Sequence, residues 1–226
     1  MKIPLFDIDG TLVKTGNKLH EQSLIYAFKK VYGVDVSVEE IRTQGMLDNQ
    51  HIMKVMGSRG LNDGEIKSKI KRMTDTSAEY FKEHKMETQP EVLPGVKNLL
   101  EKLKEKKTHL GLLTGNIEQI AWTKLERAGL KDYFTFGGFG SQAYQRVDLV
   151  YLAKKHLEKQ LGIALSLEDF LVTGDTQKDI QCARDAKVKI ITVASGHFDL
   201  ESLEKGHPDL NVETLEDGRV FDFIAS

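Results

Sequence analysis

The chain has 226 residues, 40% of them hydrophobic and 29% charged, with a formal net charge of −2. That length and composition describe an ordinary globular protein of one or two domains, and they exclude a disordered, collagen-like or strongly basic nucleic-acid-coating chain. The one cysteine, Cys182, rules out an internal disulfide and fits a reducing, cytoplasmic setting.

Met1-Lys2 runs straight into the first apolar segment, so no signal or transit peptide is expected, and no apolar run approaches the length of a membrane span. The lysine-rich stretches 67–72 and 102–107 are interspersed with glutamate or isoleucine, the pattern of a solvated helix face. No nucleic-acid or membrane partner is expected.

The first element is a short apolar run, expected to be extended from Ile3 to Asp9, that ends in Asp7-Ile8-Asp9-Gly10. Alternate residues of a strand share a face, so Asp7 and Asp9 leave its end together, and Gly10 permits a sharp turn. Two carboxylates so placed repel unless a cation or a proton separates them. Pro4 disagrees with a central strand, because it lacks the ladder donor; it is tolerable only near the strand's start.

From about 14 to 89 the pattern is helical. Leu24, Ile25, Phe28, Val31 and Tyr32 recur at helical spacing. Ser37 with Glu40 and Asn62 with Glu65 read as helix-start capping boxes. Asp48 to Met56 forms a helix closed by Gly57, and Ile66, Ile70, Met73, Tyr80 and Phe81 give the last helix a long apolar stripe. Pro90 and Pro94 mark 88–95 as a hinge.

Beyond it helices and strands alternate. Helices are expected around Val96–Leu103, Ile117–Ala128, Leu149–Leu157 and Asp179–Ala186. Strands are expected at Leu110–Leu113, Phe134–Phe139, Phe170–Val172 and Lys189–Val193, with a short helix and an edge strand after Asp199. Trp122 and Cys182 read as packing residues. The fold class is therefore α/β, a doubly wound parallel-sheet core (1–13 and 90–226) interrupted after its first strand by an all-helical cap (14–89).

In such a sheet ligands bind beyond the carboxyl ends of the strands. Those ends carry Asp7 and Asp9, then Thr114-Gly115-Asn116, then Thr173-Gly174-Asp175 with Asp179 one helical turn on. Taken singly, each is also an ordinary turn or helix cap; their order on consecutive strand ends favours a site. Four aspartates there demand a divalent cation, and hard oxygen donors without His or Cys favour magnesium.

An ionised aspartate beside it suits phosphorus as electrophile. Thr114 with the following helix start offers a hydroxyl and free N–H groups to phosphate oxygens. Arg146 is the best-placed balancing cation, although alone it could be a plain surface residue. His20 either faces the cleft or is solvated.

Asp7-Ile-Asp9-Gly-Thr-Leu resembles the first motif of the haloacid dehalogenase superfamily. Thr114, Arg146 and Gly174-Asp175-Thr-Gln-Lys-Asp179 are similar to its second, third and fourth, over essentially the whole chain. The resemblance is closest to small-molecule phosphatases of the phosphoglycolate phosphatase kind. It implies that Asp7 attacks phosphorus, that Asp9 protonates the leaving alcohol and then deprotonates water, and that Thr114 holds the phosphoryl oxygens.

It further implies that Arg146 stands where the family usually has lysine, orienting Asp7 and phosphate. Asp175 ligates magnesium with Asp7 and the Asp9 carbonyl, and Asp179 supports it. Asp9 argues against carbon–halogen cleavage, which needs no acid. Phosphonate cleavage would need a cap lysine; Lys29 and Lys54 exist, unmarked.

The expected function is magnesium-dependent hydrolysis of a small phosphorylated metabolite, with residues 45–50 and His20 as candidate substrate contacts. A sugar phosphomutase and a non-catalytic phosphate-binding module remain as alternatives. The sequence leaves the substrate and the oligomeric state open.

Overall fold

A computed structural model describes residues 2–14, 18–41 and 45–226. Six parallel strands form one sheet in the order β3-β2-β1-β4-β5-β6: β1 (Ile3–Phe6), β2 (Gly111–Thr114), β3 (Phe136–Phe139), β4 (Phe170–Gly174), β5 (Lys189–Val193) and β6 (Leu210–Val212). The chain adds strands outward on one side of β1 and then, from β4, on the other, so the crevice of a doubly wound sheet opens beyond β1 and β4.

The pleat sorts β1 between two cores. Ile3 and Leu5 enter the layer under α7 (Asp148–Leu161) and α8 (Gln177–Ala186). Phe6 enters the opposite layer under α5 (Val96–Glu105), α6 (Glu118–Ala128) and α10 (Gly218–Ala225). A further short helix, α9 (Leu200–Glu204), precedes β6.

β1 is shorter than the expected run to Asp9. The amides of Thr11, Leu12 and Val13 all turn back onto the Ile8 carbonyl, at 3.4, 2.9 and 2.9 Å, so the chain coils on itself once past Asp7. Ile8 belongs to the buried core rather than to the ladder.

Pro4 also finds its explanation. The Asp7 amide donates to Thr173 of β4, so by alternation the nitrogen of residue 4 faces β2, and pairing with β2 begins only at Leu5. No ladder bond is lost. Phe134 lies outside β3 because it closes a 3₁₀ turn, Lys131–Tyr133.

Between β1 and β2 come α1 (Lys18–Tyr32), α2 (Val38–Ile41), α3 (Asp48–Ser58) and α4 (Asp63–Glu83). α4 starts as its sequence requires: the Glu65 amide donates to Asn62 Oδ1 at 3.1 Å and the Asn62 amide to Glu65 Oε2 at 2.9 Å. These helices share a core of Leu24, Phe28, Ile52, Met56, Met73 and Phe81, which also takes in Ile117, the N-cap of α6, and Ile120 within it.

The two stems of the insertion run side by side, with Val13 bridged to Val92, the Lys14 amide donating to the Glu91 carbonyl and the Leu93 amide to the Leu12 carbonyl. Trp122 packs against Phe139, and Cys182 is buried with its thiol pushed up to about 12 by burial. Among the described residues no helix is long and apolar enough to cross a membrane.

Candidate active site

Beyond β1 and β4, Asp7, Asp175 and Asp179 come together as a buried trio whose carboxylate oxygens lie within 4.8 Å of one another. Asp7 follows β1 directly, with its Oδ1 accepting the Ile8 amide at 2.8 Å. Asp179 sits in the first turn of α8 and does not face solvent. Thr176, the N-cap, donates to Asp179 Oδ2 from its amide at 3.0 Å and from its hydroxyl at 2.7 Å.

Three glycines create the space. A Cβ on Gly174 would overlap the Asp179 carboxyl, and one on Gly10 or Gly196 would overlap that of Asp175. Gly10 also needs a φ of +91°, which a side chain disfavours.

Arg146 is the cation of this trio. Its guanidinium donates to Asp179 Oδ1 through Nε at 3.1 Å and Nη2 at 2.5 Å, to Asp7 Oδ2 at 2.9 Å, and to the Gly45 carbonyl at 3.1 Å. Two of the three carboxylates are thus bonded to this one guanidinium.

Burial, with repulsion from Asp179 and Asp9, lifts the Asp7 carboxyl to about 6 despite Arg146. Burial and the charges of Asp7 and Asp179 raise Asp175 well above the ordinary carboxylate range. An all-oxygen donor set short of positive charge fits a hard divalent cation such as magnesium.

Asp9 leaves the same loop but faces elsewhere. Its carboxylate accepts from the Lys124 ammonium at 2.9 and 2.7 Å and from Asn116 Nδ2 at 2.8 Å. Burial works to raise its pKa, but Lys124, His20 and Asn116 outweigh that and leave it below the ordinary value.

Thr114 ends β2, and its hydroxyl oxygen accepts from Asn116 Nδ2 at 2.6 Å, which leaves its own proton for an incoming oxygen. Gly115 uses its carbonyl to hold the Asp48 amide at 2.8 Å, and a Cβ there would strike Met46. The expected residues therefore occupy one rim in two sub-clusters: Asp7, Asp175, Asp179 and Arg146 in one, Asp9, Thr114 and Asn116 in the other.

The inserted helices close over that rim. Residues 45–50 lie on the core: the Asn49 side chain donates to the Ala143 carbonyl and that of Gln50 to the Tyr144 carbonyl. Asp48 caps α6, accepting the Ile117 amide at 2.7 Å, where the helix's positive end favours a carboxylate. His20 lies in the cleft, between Asp48 Oδ2 at 3.0 Å and Lys124 Nζ at 3.3 Å.

The sequence reading missed Lys124, which is 1% exposed. Its signal was a lysine on the apolar stripe Ile117, Ile120, Ala121, Leu125, Ala128 of an otherwise amphipathic helix. Lys29 instead forms an exposed pair with Asp35, and Lys54 is exposed on α3.

This rim, a carboxylate trio and a separate ion-paired aspartate on a doubly wound parallel sheet, defines a class of hydrolase. A family model described as haloacid dehalogenase-like hydrolase matches residues 4–193, and the chain belongs to that family.

Curated relatives include the pyrophosphatase PpaX of Oceanobacillus iheyensis, 28% identical over 94% of this chain and 92% of that protein. They also include the phosphoglycolate phosphatase of Synechococcus elongatus, 24% identical over 96% and 95%. The chain is accordingly an enzyme.

Among solved structures, a β-phosphoglucomutase from Clostridium difficile superposes with a TM-score of 0.71 over 100% of this chain and 96% of that one, at 18% identity. A hydrolase from Pseudomonas syringae gives 0.67 over the whole of both chains, at 23%. At such identities these likenesses speak for the fold.

Proposed function

We propose that the chain is a magnesium-dependent phosphatase that hydrolyses a small phosphomonoester through a phosphoaspartate on Asp7. Residues 14–89 serve as its cap, 1–13 and 90–226 as its catalytic core, and the cytoplasm as its setting. The observation that carries this reading is the separation of roles on one rim: Asp7 grouped with two further carboxylates and Arg146, Asp9 held apart from them by Lys124.

Asp7, Asp175 and the Asp9 carbonyl would hold magnesium, with Asp179 in support. Bound there, the cation would offset the carboxylate charge and draw electron density from the phosphoryl group. Arg146 and the Thr114 hydroxyl, with the amides of Gly115 and Asn116, hold the phosphoryl oxygens in line with Asp7.

An Asp7 oxygen attacks phosphorus, and the bond to the leaving oxygen breaks, its electron pair leaving with that oxygen. Asp9, ionised against Lys124 in the free protein, takes up the proton that a phosphate monoanion brings on binding and passes it to the leaving oxygen. Asp9, ionised again, accepts a proton from the water that attacks the phosphoaspartate, which releases phosphate and restores Asp7.

The seated cap shields the phosphoaspartate, and its opening admits and releases substrate. Residues 45–50 and His20 form the wall facing the substrate. The relatives' names put phosphoglycolate and pyrophosphate first among candidates.

The test is phosphate release from a panel of phosphate esters and pyrophosphate, with magnesium and with excess chelator, by the wild type and Asp7→Asn. Metal-dependent release abolished in Asp7→Asn is the expected result. Release that survives Asp7→Asn would overturn the mechanism. Phosphoryl return to substrate without net phosphate would assign the site to a mutase.

A further inference from the structure

Lys124 is a wholly buried ammonium on α6, a core helix, and no charged residue precedes it on that helix's inward stripe. Burying a lysine is costly unless the charge is paired and its donors are used. Here all three have partners: Asp9 through both oxygens, Asn116 Oδ1 at 2.7 Å, and His20 Nδ1 at 3.3 Å.

Each partner leads to a different part of the site. Asp9 is the acid–base group of the proposed reaction. Asn116 passes its two amide hydrogens to Asp9 Oδ2 and Thr114 Oγ1, so the cation that orients Asn116 also orients the phosphate-holding hydroxyl. His20 comes from the inserted helices. With Nδ1 accepting from Lys124, its remaining proton lies on Nε2 and is donated to Asp48, itself docked on the first turn of α6.

We propose that Lys124 is a positioning residue for proton transfer: it sets the Asp9 carboxyl and, through Asn116, the Thr114 hydroxyl, and the cap completes this arrangement through His20. This rests on the phosphatase reading above. The Asp7, Asp175, Asp179 and Arg146 group has no bond to Lys124, so the loss of Lys124 leaves the attacking carboxylate and its cation in place. What it degrades is the proton delivered to the leaving oxygen, and that deficit scales with how badly the leaving group needs a proton.

The experiment compares kcat/KM for an alkyl ester, glycerol 2-phosphate, with that for an aryl ester of good leaving group, 4-nitrophenyl phosphate. It uses the full chain with magnesium, as wild type, Lys124→Met, Lys124→Arg and His20→Asn. General acid catalysis contributes roughly 10²–10⁴-fold.

Lys124→Met is therefore expected to lose about 10²-fold or more on the alkyl ester and at least tenfold less on the aryl ester. Lys124→Arg should recover part of the alkyl activity, and His20→Asn should shift the same ratio in the same direction by a smaller factor.

Equal losses on both esters would mean that Lys124 supports the fold alone, and would overturn the proposal. If Lys124→Met does not fold, Lys124→Arg and His20→Asn decide it: an alkyl-to-aryl ratio equal to wild type in both overturns it. A wild type inactive on every ester would refute the phosphatase reading itself, which the ratio of an active wild type leaves standing.

Discussion

Replacing Asp7 by asparagine should abolish turnover and yet make the metal-free protein more stable. The Asp7 carboxyl is raised from 3.8 to about 6, by burial first and then by Asp179 and Asp9, with Arg146 pulling the other way. At about 1.4 kcal/mol per pH unit that difference amounts to a strain on the order of 3 kcal/mol once Asp7 is ionised.

The sign follows from linkage. A carboxyl with a raised folded pKa destabilises nothing below its unfolded value, and its penalty is in full force above the folded one. The strain is thus absent below pH 3.8, about half present at pH 5 and complete by pH 7 to 8.

Asparagine keeps an acceptor for the Ile8 amide and leaves Arg146 its bonds to Asp179 and Gly45. The structure therefore predicts a gain of about 2–3 kcal/mol at pH 8, or roughly 5–10 °C in melting temperature for a chain of this size. The assay is thermal unfolding with excess chelator at pH 8 and pH 5, wild type against Asp7→Asn. A variant no more stable than wild type at pH 8, or an advantage that fails to shrink at pH 5, would refute the charge-strain argument.

Three further outcomes are expected. Thr176→Ala removes both the α8 cap and a donor to Asp179; it should cost about 1–2 kcal/mol and lower kcat, with Thr176→Ser restoring both, read by melting and steady-state kinetics. His51 is buried with no partner for Nδ1 among the described residues and is held down to about 4, by burial first, with His20, Lys178 and Lys54 adding to the effect and Asp48 opposing it. Its folded value lies below its unfolded one, so protonation destabilises from pH 6.5 downward, by up to about 3 kcal/mol at pH 4; His51→Gln should flatten that limb of the stability–pH curve. Gly174→Ala should lower activity and cost about 1–3 kcal/mol by overpacking against Asp179, whereas Gly57→Ala, which meets open space in α3, should gain about 0.5–1 kcal/mol, both read in urea melts.

What the sequence disclosed follows a physical division. Runs buried on both faces that stop at a polar residue are local signals, so β2 and β4 were readable to within a residue or two, as was the α4 capping box. The reading of β1 overran because Ile8 is apolar and alternation alone cannot tell a ladder residue from one that turns into the core.

Lys124 was hidden for a different reason. A lysine on an apolar stripe announces a buried charge, but its partner Asp9 is 115 positions away and only the sheet order brings them together. Arg146 lay between these cases: its loop was foreseeable, its bond to the Gly45 carbonyl of the insertion was not.

On the proposed reading, the distribution of charge on the rim links the inserted helices, the metal and the substrate. The Asp9–Lys124 pair is balanced in itself. The trio is not: three carboxylates face one guanidinium, a shortfall of two positive charges, which is the charge a divalent ion carries. An anionic phosphate arriving without that ion would meet a net negative wall. Arriving with it, a phosphate would meet Arg146, the Thr114 hydroxyl and the first turn of α6. Asp48 caps that same turn from the inserted helices, which on the proposed reading would put a carboxylate beside the phosphate, tolerable only because His20 and the Ile117 amide hold it. Burial works to raise the Asp48 carboxyl, but His20, His51 and that amide outweigh it and keep Asp48 below the ordinary value. Asp48→Ala should therefore weaken cap seating more than phosphate attraction: about tenfold or more in kcat with KM for phosphate esters changed less, whereas a large rise in KM alone would show that Asp48 contacts substrate instead.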